Sequence, residues 1–220
     1  NMYGLKDNVA RKAGTMGKEE NKEMEFRTQE EFQAFLEFVA DKPISYYAFE
    51  MLYWTGIREG ELLALTPGDF NFEKKTLRIN KSYQRLEGKD VITDPKTPKS
   101  NRTIVMPDFL AVEMEDFISS LYGIRDDDRI FTISKSYLHH EMDRGAKLAG
   151  VKRIRIHGLR HSHISLLINL GFSALAIGER VGHEAVDITY HYAHLFPTVQ
   201  TDMAAQLETE REALVNVRKE

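Results

Sequence analysis

The sequence holds no cysteine, only one tryptophan and only six prolines in 220 residues. Without cysteine there is no disulfide framework and no thiolate metal site. No window approaches the roughly 18 consecutive apolar residues of a membrane span. The opening stretch NMYGLKDNVARKAG lacks the apolar centre of a signal peptide. A cytoplasmic location with no membrane partner is therefore the simplest expectation. Positive charge is not in excess either: 30 Lys and Arg stand against 34 Asp and Glu, a formal net charge of -4. That balance weighs against a nucleic-acid partner, although net charge is an average and a local basic site can sit beside an acidic surface. What the chain does have is 42% hydrophobic residues, enough for the packed core of one domain.

Residues 1–25 are polar, charged and aperiodic, and read as a linker or arm. Order is expected from Thr28. Thr28 and Glu31 match a capping box, and Phe32, Phe35, Leu36 and Val39 follow at helical spacing. Residues 44–55 are apolar on nearly all sides and predict a buried helix. Gly56 interrupts, a helical run covers 58–65, and Thr66-Pro67-Gly68 turns the chain. Alternation over 76–83, a turn at Gly88, and short runs at 91–93 and 102–106 predict three strands of one small antiparallel sheet. Helices are expected over 108–122, 135–149 and 158–170, from Ser173 to about Val181, in a short stretch before Tyr192, and over 198–218. The fold class is α+β, mainly α, a helical domain with a small three-stranded sheet at one edge. The domain should span 26–197, with 198–220 as a charged C-terminal tail helix.

Four pieces carry candidate chemistry. Thr55-Gly56-Ile57-Arg58-Glu59-Gly60-Glu61 sets an arginine after a glycine turn, with Glu61 three residues on. Pro95-Lys96-Thr97-Pro98-Lys99 lies in the loop between two strands. His157-Gly158-Leu159-Arg160-His161 places His157 and Arg160 on one helix face. Gly182-His183 precedes Tyr192 by nine residues.

In this order and at these distances the pieces resemble the tyrosine recombinase family, the phage-type integrases, over roughly residues 26–200. The stretches Tyr-Ala-His-Leu-Phe-Pro and Pro-Lys-Thr-Pro-Lys look like those of integrases from Gram-positive mobile elements. The resemblance implies DNA strand cleavage and rejoining through a 3′-phosphotyrosyl link, with no metal and no cofactor. It makes Tyr192 the nucleophile and Lys96 the general acid on the leaving 5′-oxygen. Arg58 and Arg160 become the clamp on the phosphate oxygens, a task suited to planar, permanently charged guanidinium. His157 and His183 would bond the same phosphate, and by the same analogy His157 takes the tyrosine proton. Glu61 would orient Arg58. The positive cluster should favour the Tyr192 phenolate. Lys99, Arg102, Arg153 and Arg155, with Lys147 and Lys152, are candidate phosphate contacts.

The implied partners are double-stranded DNA at a recombination site and further copies of the chain, a tetramer on DNA. Family members usually carry a core-binding domain, and often an arm-binding domain, before the catalytic one. About 25 residues precede the capping box here, so a longer parent protein is expected.

Bland readings stand beside these. Lys99 competes with Lys96, and Tyr190 with Tyr192. His183 could simply cap a helix C-terminus. His157 and His161 could form a zinc pair at i, i+4, although no Glu lies between them in the metalloprotease pattern; otherwise His161 and His163 read as structural. Chromosome-dimer resolution and a catalytically silent DNA-binding module are the alternative functions.

Overall fold

The computed structural model describes residues 25–94, 98–183, 187, 192, 207–209 and 211. Helix α1 (Gln29–Glu37) starts at Thr28, whose hydroxyl accepts from the Glu31 amide at 3.2 Å while the Glu31 carboxylate accepts from the Thr28 amide at 3.0 Å. The reciprocal pair satisfies donors that a helix start leaves open. Helix α2 (Pro43–Thr55) is the buried helix, with Ala48, Phe49, Met51, Leu52 and Tyr53 inside. Its rings interlock: Tyr53 stacks on Phe32 at 3.8 Å, Phe49 meets Phe35 edge-on at 4.9 Å, and Tyr47 stacks on Phe117 at 4.2 Å. Burying a Leu or Phe side chain fully contributes about 1.5–3 kcal/mol, so this helix contributes substantially to the core.

Helix α3 (Glu59–Leu62) follows, and then the edge structure: β1 (Phe70–Asn71), β2 (Thr76–Ile79), β3 (Ser82–Leu86), β4 (Lys89–Thr93) and β5 (Arg102–Val105). Four helices complete the domain: α4 (Asp108–Ser120), α5 (Lys135–Ala149), α6 (Ile156–Asn169) and α7 (Ala174–Val181). Helix α2 packs between α4 and α6, and α1 packs on α5. The mainly helical α+β class and the three-stranded antiparallel sheet are as expected.

The strands of that sheet are not those expected. The sheet runs β1-β2-β5, with Leu77 opposite Ile104, while β3 and β4 form a separate hairpin. The alternation over 76–83 spans two elements. It breaks at Asn80-Lys81, where the Lys81 ammonium is drawn 2.7 Å from the buried Asp69 carboxylate. The hairpin turns at Glu87 and Gly88, both at positive φ, as a two-residue hairpin connection requires. It is tied back by Arg129, which lies 4.2 Å over the Tyr83 ring and 3.1 Å from Asp90. The 58–65 helix is shorter than expected, at Glu59–Leu62.

A second, smaller core joins Ile164 and Ile168 of α6 to Ile177 and Val181 of α7, and Tyr192 closes it. The arm 1–24, the lysine loop with Lys96, Tyr190 and most of the 198–218 tail lie outside the described residues.

Candidate active site

Two helices end at this site on left-handed glycines. Gly56 (φ 65) ends α2 and Gly182 (φ 71) ends α7. Neither has room for a side chain. A β-carbon at Gly56 would lie 2.5 Å from the His163 ring, and one at Gly182 2.9 Å from the Lys99 carbonyl. The left-handed turn suits glycine because it lacks the carbon that would clash.

The carbonyls at these two ends face the arginines. Arg160 is 1% exposed and donates to the Gly56 carbonyl at 2.6 Å and to the Val181 carbonyl at 2.5 Å. Arg58 donates to the Gly182 carbonyl at 3.4 Å. Segments separated by more than 100 positions therefore meet at one point. Helix C-termini carry partial negative charge, which stabilises cations placed there. Burial, with the Arg58 charge beside it, pulls the Arg160 guanidinium down to about 9, so it still holds its proton at neutral pH.

Glu61 is the counter-charge. Its buried carboxylate accepts from the Arg58 amide and guanidinium, both at 2.8 Å, and from Arg102 at 3.0 and 3.1 Å. Burial alone would raise this carboxyl, but the Arg102 hydrogen bonds and the Arg102 and Arg58 charges pull it below the usual carboxylate range. Arg102, expected as a phosphate contact, is thus turned inward. Its side chain is 6% exposed and also donates to the Arg180 and Ser100 carbonyls. A buried guanidinium left without a carboxylate is costly, and Glu61 supplies that partner.

A cleft of about 940 Å³ opens in front of this cluster, between the hairpin and the start of α6, with Arg58, His157, His183, Lys81, Lys99 and Lys135 on its walls. Nothing in the sequence marks Lys81 and Lys135, because single lysines carry no pattern. Desolvation and the Arg160 and Arg58 charges depress His157, and the same causes hold His183 down at about 3. Both are therefore neutral near pH 7. Arg153 pairs with Asp143 at 2.6 Å, Lys152 pairs with Glu25 at 3.2 Å, and Arg155 is exposed at the start of α6.

Tyr192 is 3% exposed, and its hydroxyl bonds to Nδ1 of His161. Burial raises its phenol, and the Arg160 charge offsets this only in part. Two expectations change here. The cationic cluster does not favour the phenolate in this arrangement, because loss of water outweighs it. And His161, not His157, meets the phenol. The signal was in the sequence: His161 follows His157 by four residues on the same helix face, and the two rings meet edge-to-face at 4.8 Å. Among the described residues no group of three His, Asp or Glu side chains could hold a metal ion, so the zinc-pair reading lacks a third ligand there.

Beneath the clamp, His163 is buried and accepts from the Arg180 guanidinium at 3.0 Å, while Arg180 also donates to the Trp54 and Val105 carbonyls. Burial, then the Arg180 charge, holds His163 at about 3. An unfolded histidine titrates near 6.5, so between these values the unfolded chain binds the extra proton. Stability is complete above about pH 6.5 and falls as pH drops towards 3, by up to about 1.4 kcal/mol per pH unit for each such proton. His183 adds to the loss with the same sign. Urea midpoints measured from pH 7 to pH 4 should fall, and His163→Gln should flatten the slope. An unchanged slope in that variant would remove His163 from the account.

The family model described as the phage integrase family matches residues 25–198. The chain is 32% identical over 202 residues to the ICEBs1 integrase of Bacillus subtilis (strain 168), covering 85% of this chain and 55% of that protein. It is 27% identical over 187 residues to the tyrosine recombinase XerC-like protein of Caldanaerobacter subterraneus, covering 72% of this chain and 48% of that one. Among solved structures, the Tn1549 transposon integrase in complex with circular intermediate DNA superposes with a TM-score of 0.71 at 23% identity, covering 87% of this chain and 68% of that one. The chain spans about half the length of the curated relatives it matches.

Proposed function

The chain belongs to the phage integrase family, and from that premise we propose that it is the catalytic part of a site-specific recombinase that integrates and excises a mobile element. The observation that carries this reading is that Arg58, His157 and His183, from three distant segments, line one cleft, with Arg160 buried behind it within electrostatic reach of both Arg58 and the buried Tyr192.

The chemistry is transesterification at a DNA phosphodiester. The Tyr192 oxygen attacks phosphorus, a 3′-phosphotyrosyl bond forms, and the bond to the 5′-oxygen breaks. That oxygen leaves with a proton from Lys96. A 5′-hydroxyl from another strand then reverses the step, so the energy of the broken bond is kept in the covalent intermediate. The two guanidinium groups stabilise the charge that grows on the non-bridging oxygens, a contribution that fixed dipoles and charges make most effectively when held in place beforehand. Neutral His157 and His183 supply further hydrogen bonds. Lys99, Arg155 and the cleft lysines give a salt-sensitive grip on the backbone. Double-stranded DNA is the partner, and recombination requires several copies, four on the paired sites.

The test is a duplex nicked beside the scissile phosphate, so that the cleaved fragment diffuses away and the intermediate accumulates. The protein should form a covalent adduct with chelator present. Tyr192→Phe should abolish it and Tyr190→Phe should retain it. An adduct that survives Tyr192→Phe would refute the assignment.

A further inference from the structure

We propose that His161 is the base that receives the Tyr192 proton as the phenol attacks DNA. This rests on the reading of Tyr192 as nucleophile. Three observations on α6 support it. His161 Nδ1 is in direct hydrogen bond with the Tyr192 hydroxyl. Ile164 and Ile168, further along the same helix, pack with Ile177 and Val181 around Tyr192, so the phenol and the imidazole are held together by one small core. Arg160, the residue before His161, is the buried half of the phosphate clamp.

The phenol is buried, and its ordinary proton affinity is increased by loss of water. Free phenolate therefore cannot accumulate at neutral pH, and the proton must leave as the bond to phosphorus forms. That requires an acceptor already in contact with the oxygen. His157 and His183 face the cleft, where loss of water and then the Arg160 and Arg58 charges reduce their basicity, which suits them to phosphate. Among the described residues, His161 is the imidazole that touches the reacting oxygen.

His161 begins as the tautomer with its proton on Nε2. The phenolic proton moves to Nδ1, the phenolic oxygen bonds to phosphorus, and the electron pair of the broken bond leaves on the 5′-oxygen, which takes the Lys96 proton. In rejoining, the Nδ1 proton returns to the departing phenolate. His157, four residues away and edge-on at 4.8 Å, links the imidazole to the cleft wall.

The experiment is the single-turnover rate of adduct formation on the nicked duplex, at protein concentrations that saturate the DNA, for the wild type, His161→Ala, His161→Asn and Tyr192→Phe. Positioned proton transfer contributes about 10²–10⁴-fold. His161→Ala should therefore be slower by about that factor with DNA binding unchanged. Added imidazoles should restore it, the more basic ones faster. His161→Asn keeps a hydrogen-bond acceptor where Nδ1 was but cannot take up a proton, so it should be as slow as the alanine variant. It also decides the matter if the alanine variant fails to fold. An asparagine variant at the wild-type rate, or an alanine variant within threefold of wild type or deaf to imidazole, overturns the assignment and leaves His161 a positioning contact. A wild type that forms no adduct, or an adduct that persists in Tyr192→Phe, refutes the nucleophile reading instead.

Discussion

Arg160→Ala is expected to lose adduct formation by about 10²–10³-fold, the usual cost of removing one fixed donor from a charge-stabilising site, and to lose stability as well. The stability loss has a specific source. Arg160 holds the Gly56 carbonyl and the Val181 carbonyl, and each buried carbonyl left unpaired costs about 1–3 kcal/mol. The two effects separate in Arg160→Lys. A lysine restores the charge, yet its compact ammonium lacks the planar fork that bonds both carbonyls and offers further N–H groups to a phosphate. The lysine variant should therefore recover part of the stability and little of the rate. Urea unfolding and single-turnover cleavage of the nicked duplex measure the two quantities. A lysine variant equal to wild type in both would mean that charge alone matters and the fork does not.

Glu61→Gln should produce the largest change in stability, about 3–5 kcal/mol, the range for breaking a buried ion pair by removing one partner. The carboxylate and the Arg102 guanidinium are each only 6% exposed. Glutamine of the same shape would leave Arg102 buried with its charge uncompensated. Against a total of about 5–15 kcal/mol for a typical domain, that change threatens folding at physiological temperature. A double variant in which Glu61 and Arg102 are both replaced by methionine should recover part of that loss, because it removes the orphaned charge together with its partner, while the Arg180 and Ser100 carbonyls lose their donor. The urea midpoints of the single and double variants test this. A double variant as unstable as Glu61→Gln would show that packing and the carbonyl bonds of Arg102, not the orphaned charge, dominate the loss. Cleavage should also fall in Glu61→Gln, since Glu61 holds Arg58 through both its amide and its guanidinium.

Much of this was legible in the chain because it is local. Thr28 and Glu31 cap α1 within one turn of helix, Ser173 caps α7, and Gly56 and Gly182 end helices as glycines do. The strand pairing was less legible, since Thr76–Ile79 and Ser82–Leu86 look like one alternating run yet pair with different partners, with Lys81 between them held by Asp69. The least legible features join residues far apart. Nothing in the local sequence says that Arg102 turns inward to Glu61, 41 positions earlier, and the spacing of His157 and His161 marks a shared helix face without saying that the Tyr192 hydroxyl, 31 positions on, meets His161. The motifs named the arginines and the tyrosine, but burial decided which of them pair with protein and which face the cleft.

The left-handed ends of α2 and α7 bear on how mutations in this protein will be read. A screen for lost recombination should return changes at Gly56 and Gly182, positions with no side chain to offer a nucleic acid. A β-carbon there would swing the last carbonyl away from its arginine. To a geneticist such alleles would look like active-site lesions, though the damaged part is the main chain that aims the guanidinium groups.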